Sequence, residues 1–214
     1  MTKYKLPPKI NIASFDVDCQ YTFTPECPNE LPVADALAIV PELNAQAELA
    51  NYRLGSKDAH SPHAIWIADA QNPQFTPVEG EHVDIRWVSH AIVGTKGFQL
   101  IKGLPEITAY DFFVWKGIEP DMHPYGTCYH DLNNTLSTGV IEFLRDKQVT
   151  TIIVGGLATD YCVKNTVLQL LAANFEVILN LAGARGIAKE TIDAAIAEMR
   201  AQGAVIINGI HELG

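Results

Sequence analysis

The chain has 214 residues, enough for one α/β domain with a sizeable core. Hydrophobic residues make up 48% and charged residues 19%, which excludes a disordered chain. A net charge of −10, with no run of Lys or Arg, excludes a surface built for nucleic acid or anionic membrane.

In chain order, Ile10–Val17 reads as a first strand and Ala34–Asn51 as a helical segment starting or kinking near Pro41. Tyr52–Ser56 is a short strand. Residues 58–105 are irregular and rich in polar and aromatic side chains, which in a compact domain points to function. A strand is predicted over Asp111–Lys116, a helix over Thr138–Lys147 and a strand over Thr151–Val154. A helix over Tyr161–Ala173, a strand over Phe175–Leu181, a helix over Lys189–Ala201 and a strand over Ala204–Ile207 complete the chain. Apolar strands alternating with helices predict a Rossmann-like α/β fold of three layers, with a mostly parallel sheet flanked by helices. No repeat, linker or low-complexity tract interrupts it, so residues 1–214 read as a single domain.

No apolar stretch approaches the ~20 residues of a membrane-spanning helix. Residues 1–5 carry charge without an apolar core before Pro7-Pro8, so they do not read as a signal peptide. The four cysteines, Cys19, Cys27, Cys128 and Cys162, form no C-x-x-C pair, and a cytoplasmic, reducing setting is expected.

Ligands of parallel sheets sit at the carboxyl ends of the strands. Asp18, Asp58, Lys116 and Cys162 all fall at or just after predicted strands. Cys162 would lie in the first turn of a helix, where free N–H groups favour a thiolate and can hold an oxyanion. Taken alone it reads first as a small core side chain. Asp16 competes with Asp18 for the strand-end position, and either reads alone as a turn or cap residue. Asp58-Ala59-His60 puts a carboxylate and an imidazole on one side of an extended segment. With His90 they make a common set for one divalent metal, suited to zinc, iron or manganese. His63 competes with His60, and His82 reads as a surface histidine.

Gly156-Leu157-Ala158-Thr159-Asp160-Tyr161-Cys162-Val163 resembles the nucleophile segment of nicotinamidases, within the isochorismatase-like cysteine hydrolases. Asp18-Cys19-Gln20-Tyr21-Thr22-Phe23 is similar to that family's D-x-Q-x-x-F signature, which favours Asp18 over Asp16. Val114-Trp115-Lys116-Gly117 resembles its lysine segment and Ser56–Pro62 its metal segment. The resemblance runs from Ile10 to about Leu181.

It implies a catalytic triad of Asp18, Lys116 and Cys162, with Asp18 as general base and Lys116 stabilising the charged forms. It implies one divalent metal on Asp58, His60 and His90, zinc before iron or manganese, that binds the ring nitrogen of the substrate. It implies aromatic walls from Phe23 and Trp87, a substrate contact at Leu157, and an oxyanion hole from the N–H groups of Ala158 and Cys162 behind a cis Leu157-Ala158 bond. The implied substrate is nicotinamide. An amidase of carbamoyl or ureido substrates is the alternative, and a non-catalytic metal- or ligand-binding protein is an alternative of another class. Relatives are often oligomers, so a homo-oligomer is compatible with the resemblance. Three segments depart from the pattern: Leu179–Ala184, the stretch between His60 and Trp87, and the loop Gly117–His130, where His123, Tyr125 and Cys128 are unassigned.

Overall fold

The computed structural model of the protein describes residues 3–214, so the first two residues of the charged N-terminal stretch lie outside it. Six strands form one sheet: β1 (Ile12–Val17), β2 (Tyr52–Asp58), β3 (Phe112–Lys116), β4 (Thr151–Leu157), β5 (Glu176–Arg185) and β6 (Val205–Ile207). Their order is β3-β2-β1-β4-β5-β6, and every neighbouring pair is parallel. Among the described residues four α-helices accompany them: α1 (Val40–Ala47), α2 (Val140–Asp146), α3 (Lys164–Ala172) and α4 (Lys189–Ala201). The expected three-layer α/β architecture is present.

The alternation of strand side chains explains the layers. Ala13, Phe15 and Val17 point to the face covered by Leu144 of α2, Val167 and Leu170 of α3 and Met199 of α4. On the other face Ile12, Ile153, Ile178 and Ile207 make a second cluster, and Ile39 and Leu43 of the α1 region a third with Leu157. All of these side chains are buried. Each of the larger side chains, Ala13 aside, contributes roughly 1.5–3 kcal/mol relative to exposure, which is why the strands read as nearly continuous apolar runs.

Several boundaries differ from the sequence-based expectation. The segment predicted as one helix over 34–51 is a 3-10 turn at Ala36–Ile39 followed by α1, with Pro41 in its first turn, where proline is tolerated. β2 extends to Asp58, and β4 runs through both glycines to Leu157. β5 continues to Arg185, and its pairing with β4 shifts register between Val154 and Gly156. Gly156 has φ +131°, and a Cβ there would stand 2.1 Å from the carbonyl oxygen of Val17. The glycine thus lets β4 close against the end of β1.

The helix predicted from Tyr161 begins instead as a π-helical turn, Thr159–Val163, and becomes α-helical at Lys164. Asp160 anchors this turn: its carboxylate accepts the Ile187 N–H at 3.1 Å and the Thr191 hydroxyl at 2.5 Å at the start of α4. Among the described residues no helix is long and apolar enough to cross a membrane.

Candidate active site

The order of the strands brings the ends of β1, β2, β3 and β4 side by side. Asp58 is the register partner of Lys116, and Val17 that of Gly156. Asp18, Asp58, Lys116 and Cys162 therefore converge without any long connection. All four are buried, Asp18 and Lys116 completely.

Lys116 is the hub. Its Nζ lies 3.0 Å from Asp18 Oδ2 and 3.5 Å from Cys162 Sγ, and forms a short ion pair with Asp58 Oδ1. It also donates to the Pro124 carbonyl at 3.2 Å. Burial opposes the charge on Lys116, but Asp18 and Asp58 outweigh it and hold the ammonium well above its usual range. The ligand atoms of Asp18, Asp58 and Cys162 lie within 4.8 Å of one another.

Asp18 follows β1 with φ +47°, a left-handed conformation that Asp adopts more readily than most residues. Its Oδ1 accepts the Ser56 hydroxyl at 2.7 Å, and its own N–H donates to Ser56 Oγ at 3.1 Å. Burial raises its pKa to about 6, against the charge of Lys116 and the Ser56 hydrogen bond. The rival, Asp16, is committed elsewhere: it pairs with Arg53 at 2.6 Å and accepts the Tyr110 hydroxyl at 2.9 Å.

Cys162 sits in the π-helical turn. The N–H groups of Tyr161 and Val163 both donate to the Ala158 carbonyl at 3.1 Å, while that of Cys162, between them, does not. The Leu157-Ala158 peptide is cis. Burial pushes the Cys162 thiol well above its usual range; Lys116 opposes this, and Asp18 and Asp58 add to it. Burial first, with Asp18 and Asp58 adding to it, thus works against the thiolate that a helix N-terminus would favour.

Beside this trio stand the imidazoles. His60 Nδ1 lies 3.1 Å from the Gly117 carbonyl and His90 Nδ1 lies 2.7 Å from the Val88 carbonyl. Each contact fixes a ring with its Nε2 toward Asp58, at 3.7 and 3.8 Å. His60 Nε2 is buried without a partner. Burial first, and the His60 ring second, push His90 down to about 3, which favours the neutral imidazole that a cation would require. A carboxylate between two oriented imidazoles fits a divalent cation. Gln20 secures the carboxylate from behind: its side-chain amide donates to the Asp58 carbonyl and accepts the Asp58 N–H, both at 2.8 Å.

A narrow cleft opens onto these groups, with Phe23, Trp87, His90, Tyr125, Ala158 and Cys162 in its wall. Phe23 and Trp87, the aromatic pair that the resemblance implies, both line this cleft. Leu157 does not line the cleft; as the last residue of β4 it packs into the core cluster that holds Ile39 and Leu43. His63 is exposed, and His82 is half-buried and meets the site through its carbonyl, which accepts the His123 N–H at 2.8 Å.

Sequence reasoning gave no role to Ser56, Gln20 or Trp66. Ser56 was detectable, since it stands two residues before Asp58 and shares its face of β2. Trp66 packs its ring 4.7 Å from that of His60 and 4.4 Å from that of His123, a contact made through irregular loops that no periodicity announces.

The isochorismatase domain profile matches residues 16–210. The Escherichia coli nicotinamidase is 30% identical over 193 residues, covering 83% of this chain and 89% of its own. The solved Acinetobacter baumanii nicotinamidase pyrazinamidase is 28% identical with a TM-score of 0.84, covering 94% of this chain and 96% of its own. The Pyrococcus horikoshii pyrazinamidase, solved in complex with zinc, is 26% identical with a TM-score of 0.73, covering 92% of this chain and 98% of its own. With the profile spanning nearly the whole fold and a relative this similar over most of its length, the chain belongs to the isochorismatase family.

Proposed function

We propose that the protein is a metal-dependent nicotinamidase, hydrolysing nicotinamide to nicotinate and ammonia through a cysteine thioester in the salvage of NAD. The observation that carries this reading is the meeting of Asp18, Lys116 and Cys162 at one end of a cleft whose other components are an imidazole–carboxylate cluster and the rings of Phe23 and Trp87. The relatives named nicotinamidase support the substrate.

Asp58, His60 and His90 would hold the cation, with zinc supported by the Pyrococcus relative. When bound, it supplies a Lewis-acid anchor for the pyridine nitrogen and neutralises part of the carboxylate charge. Phe23 and Trp87 flank a flat ring and exclude water from it. The carboxamide then faces Cys162. Asp18, ionised against Lys116, takes the thiol proton as Sγ attacks the amide carbon. The N–H groups of Ala158 and Cys162 receive the developing oxyanion. Asp18 returns the proton to the amine as the C–N bond breaks, releasing ammonia and leaving the thioester. A water deprotonated by Asp18 attacks the thioester, and Cys162 leaves as the thiol with nicotinate. Lys116 keeps its proton throughout and holds the base in place. The four unpaired cysteines support a reducing, cytoplasmic setting.

The test is ammonia release from nicotinamide by metal-replete protein, beside Cys162→Ala and a chelator-stripped sample. Release lost in both controls is the expected result. No release from the metal-replete protein would remove nicotinamide as substrate and direct the assay to carbamoyl and ureido amides.

A further inference from the structure

The metal set implied by the sequence has three ligands, and the structure presents a fourth donor beside them. His123 comes from the loop between β3 and α2, far in sequence from Asp58, His60 and His90. Its side chain is almost completely buried and lines the same cleft. Its Nδ1 is buried with no hydrogen-bond partner. Donor nitrogens of His60, His90 and His123 lie within 4.8 Å of one another. Two nitrogens bound tetrahedrally to one zinc at about 2.1 Å stand roughly 3.4 Å apart, so the rings need close by at most about 1.4 Å.

The position of His123 is fixed rather than fortuitous. Its N–H donates to the His82 carbonyl at 2.8 Å, and the carbonyl of the next residue, Pro124, accepts from Lys116 Nζ at 3.2 Å. The ring stacks against that of His60 at 5.2 Å and packs on Trp66 at 4.4 Å. A ring held on both sides of its own backbone, beside two oriented imidazoles and a buried carboxylate, is placed as a ligand is placed.

Resting on the proposed metal site, we infer that His123 is a fourth protein ligand, so that the cation is held by Asp58, His60, His90 and His123. The extra imidazole tightens retention of the metal and removes one position otherwise open to water. It also ties the β3–α2 loop, and with it Tyr125, to the site.

The experiment uses the full chain loaded with zinc alone. Chelator competition gives the affinity, and X-ray absorption at the zinc edge counts imidazole ligands. The wild type should show three imidazoles; His123→Ala should show two and bind at least about tenfold more weakly. His63→Ala should match the wild type, and His60→Ala should lose most binding. His123→Gln, closer in size, serves if the alanine variant melts early in its zinc-free form. Two imidazoles in the wild type, or an affinity within about twofold for both His123 variants while His60→Ala loses zinc, would overturn the inference and leave the three-ligand reading standing. A wild type that retains no zinc would overturn both.

Discussion

Ser56 and Asp18 hold each other in a closed pair of hydrogen bonds: the Ser56 hydroxyl donates to the carboxylate at 2.7 Å and accepts the Asp18 N–H at 3.1 Å. The pair stabilises the ionised carboxylate against the burial that raises its pKa to about 6. Ser56→Ala removes that support, so the pKa rises further. A base must be ionised to take the thiol proton, and the acid limb of kcat/KM is expected to move to higher pH. A hydrogen bond to a charged group is worth about 1.5–3 kcal/mol, or about one to two pH units. The loss should be largest at low pH and recover as pH rises; a limb that stays in place would separate Asp18 from the base role.

Cys162→Ala should abolish ammonia release, and Asp18→Asn should lower it by about 10²–10⁴-fold. Neither change opens a large cavity, so circular dichroism should be unaltered. Mass spectrometry of acid-quenched turnover should find the acylated enzyme in the wild type alone. An acyl group on Cys162→Ala would move the nucleophile elsewhere.

Lys116→Met keeps the length of the side chain and removes its charge. It leaves Asp18 and Asp58 facing each other in the interior without a cation. The expected loss is about 3–5 kcal/mol in the metal-free protein, read from urea unfolding. Zinc should restore part of it by binding the folded state alone. A stability equal to wild type would show that one carboxyl takes up a proton instead.

Two glycines should respond differently. At Gly156 a Cβ meets the Val17 carbonyl oxygen at 2.1 Å, and backbone cannot step aside, so Gly156→Ala should cost about 2–5 kcal/mol of stability. At Gly117, φ +78°, a Cβ meets the His60 ring at 2.6 Å. Gly117→Ala should therefore displace His60, weakening zinc binding about tenfold or more while the melt shifts less than for Gly156→Ala. Chelator competition and thermal unfolding on both variants decide it.

The sequence was most legible where chemistry and backbone period coincide. Asp18, Asp58, Lys116 and Cys162 each end or follow a strand, and the apolar runs behind them identified the strands. The resemblance then separated Asp18 from Asp16, which the fold pairs with Arg53. Less legible was anything set by tertiary contact. Leu157 reads as a site residue from its neighbours, but the pleat turns its side chain into the core. The π-helical turn at Cys162 follows from packing and from the Asp160 bonds to the start of α4, which no local propensity encodes. His123 and Trp66 lie in loops without a period, and only the closed fold brings their rings together.

The strand order divides the sheet into two consecutive halves, β3-β2-β1 and β4-β5-β6, whose strands pair with each other only along the β1–β4 seam. The first half carries Asp18, Asp58, His60, His90, Lys116 and His123; the second carries Ala158 and Cys162. Between them, residues 133–137 form an exposed run. A chain opened there yields one fragment with the base and the cation donors and another with the thiol, each inert by itself. Ammonia released on mixing would then report whether the two fragments have found each other.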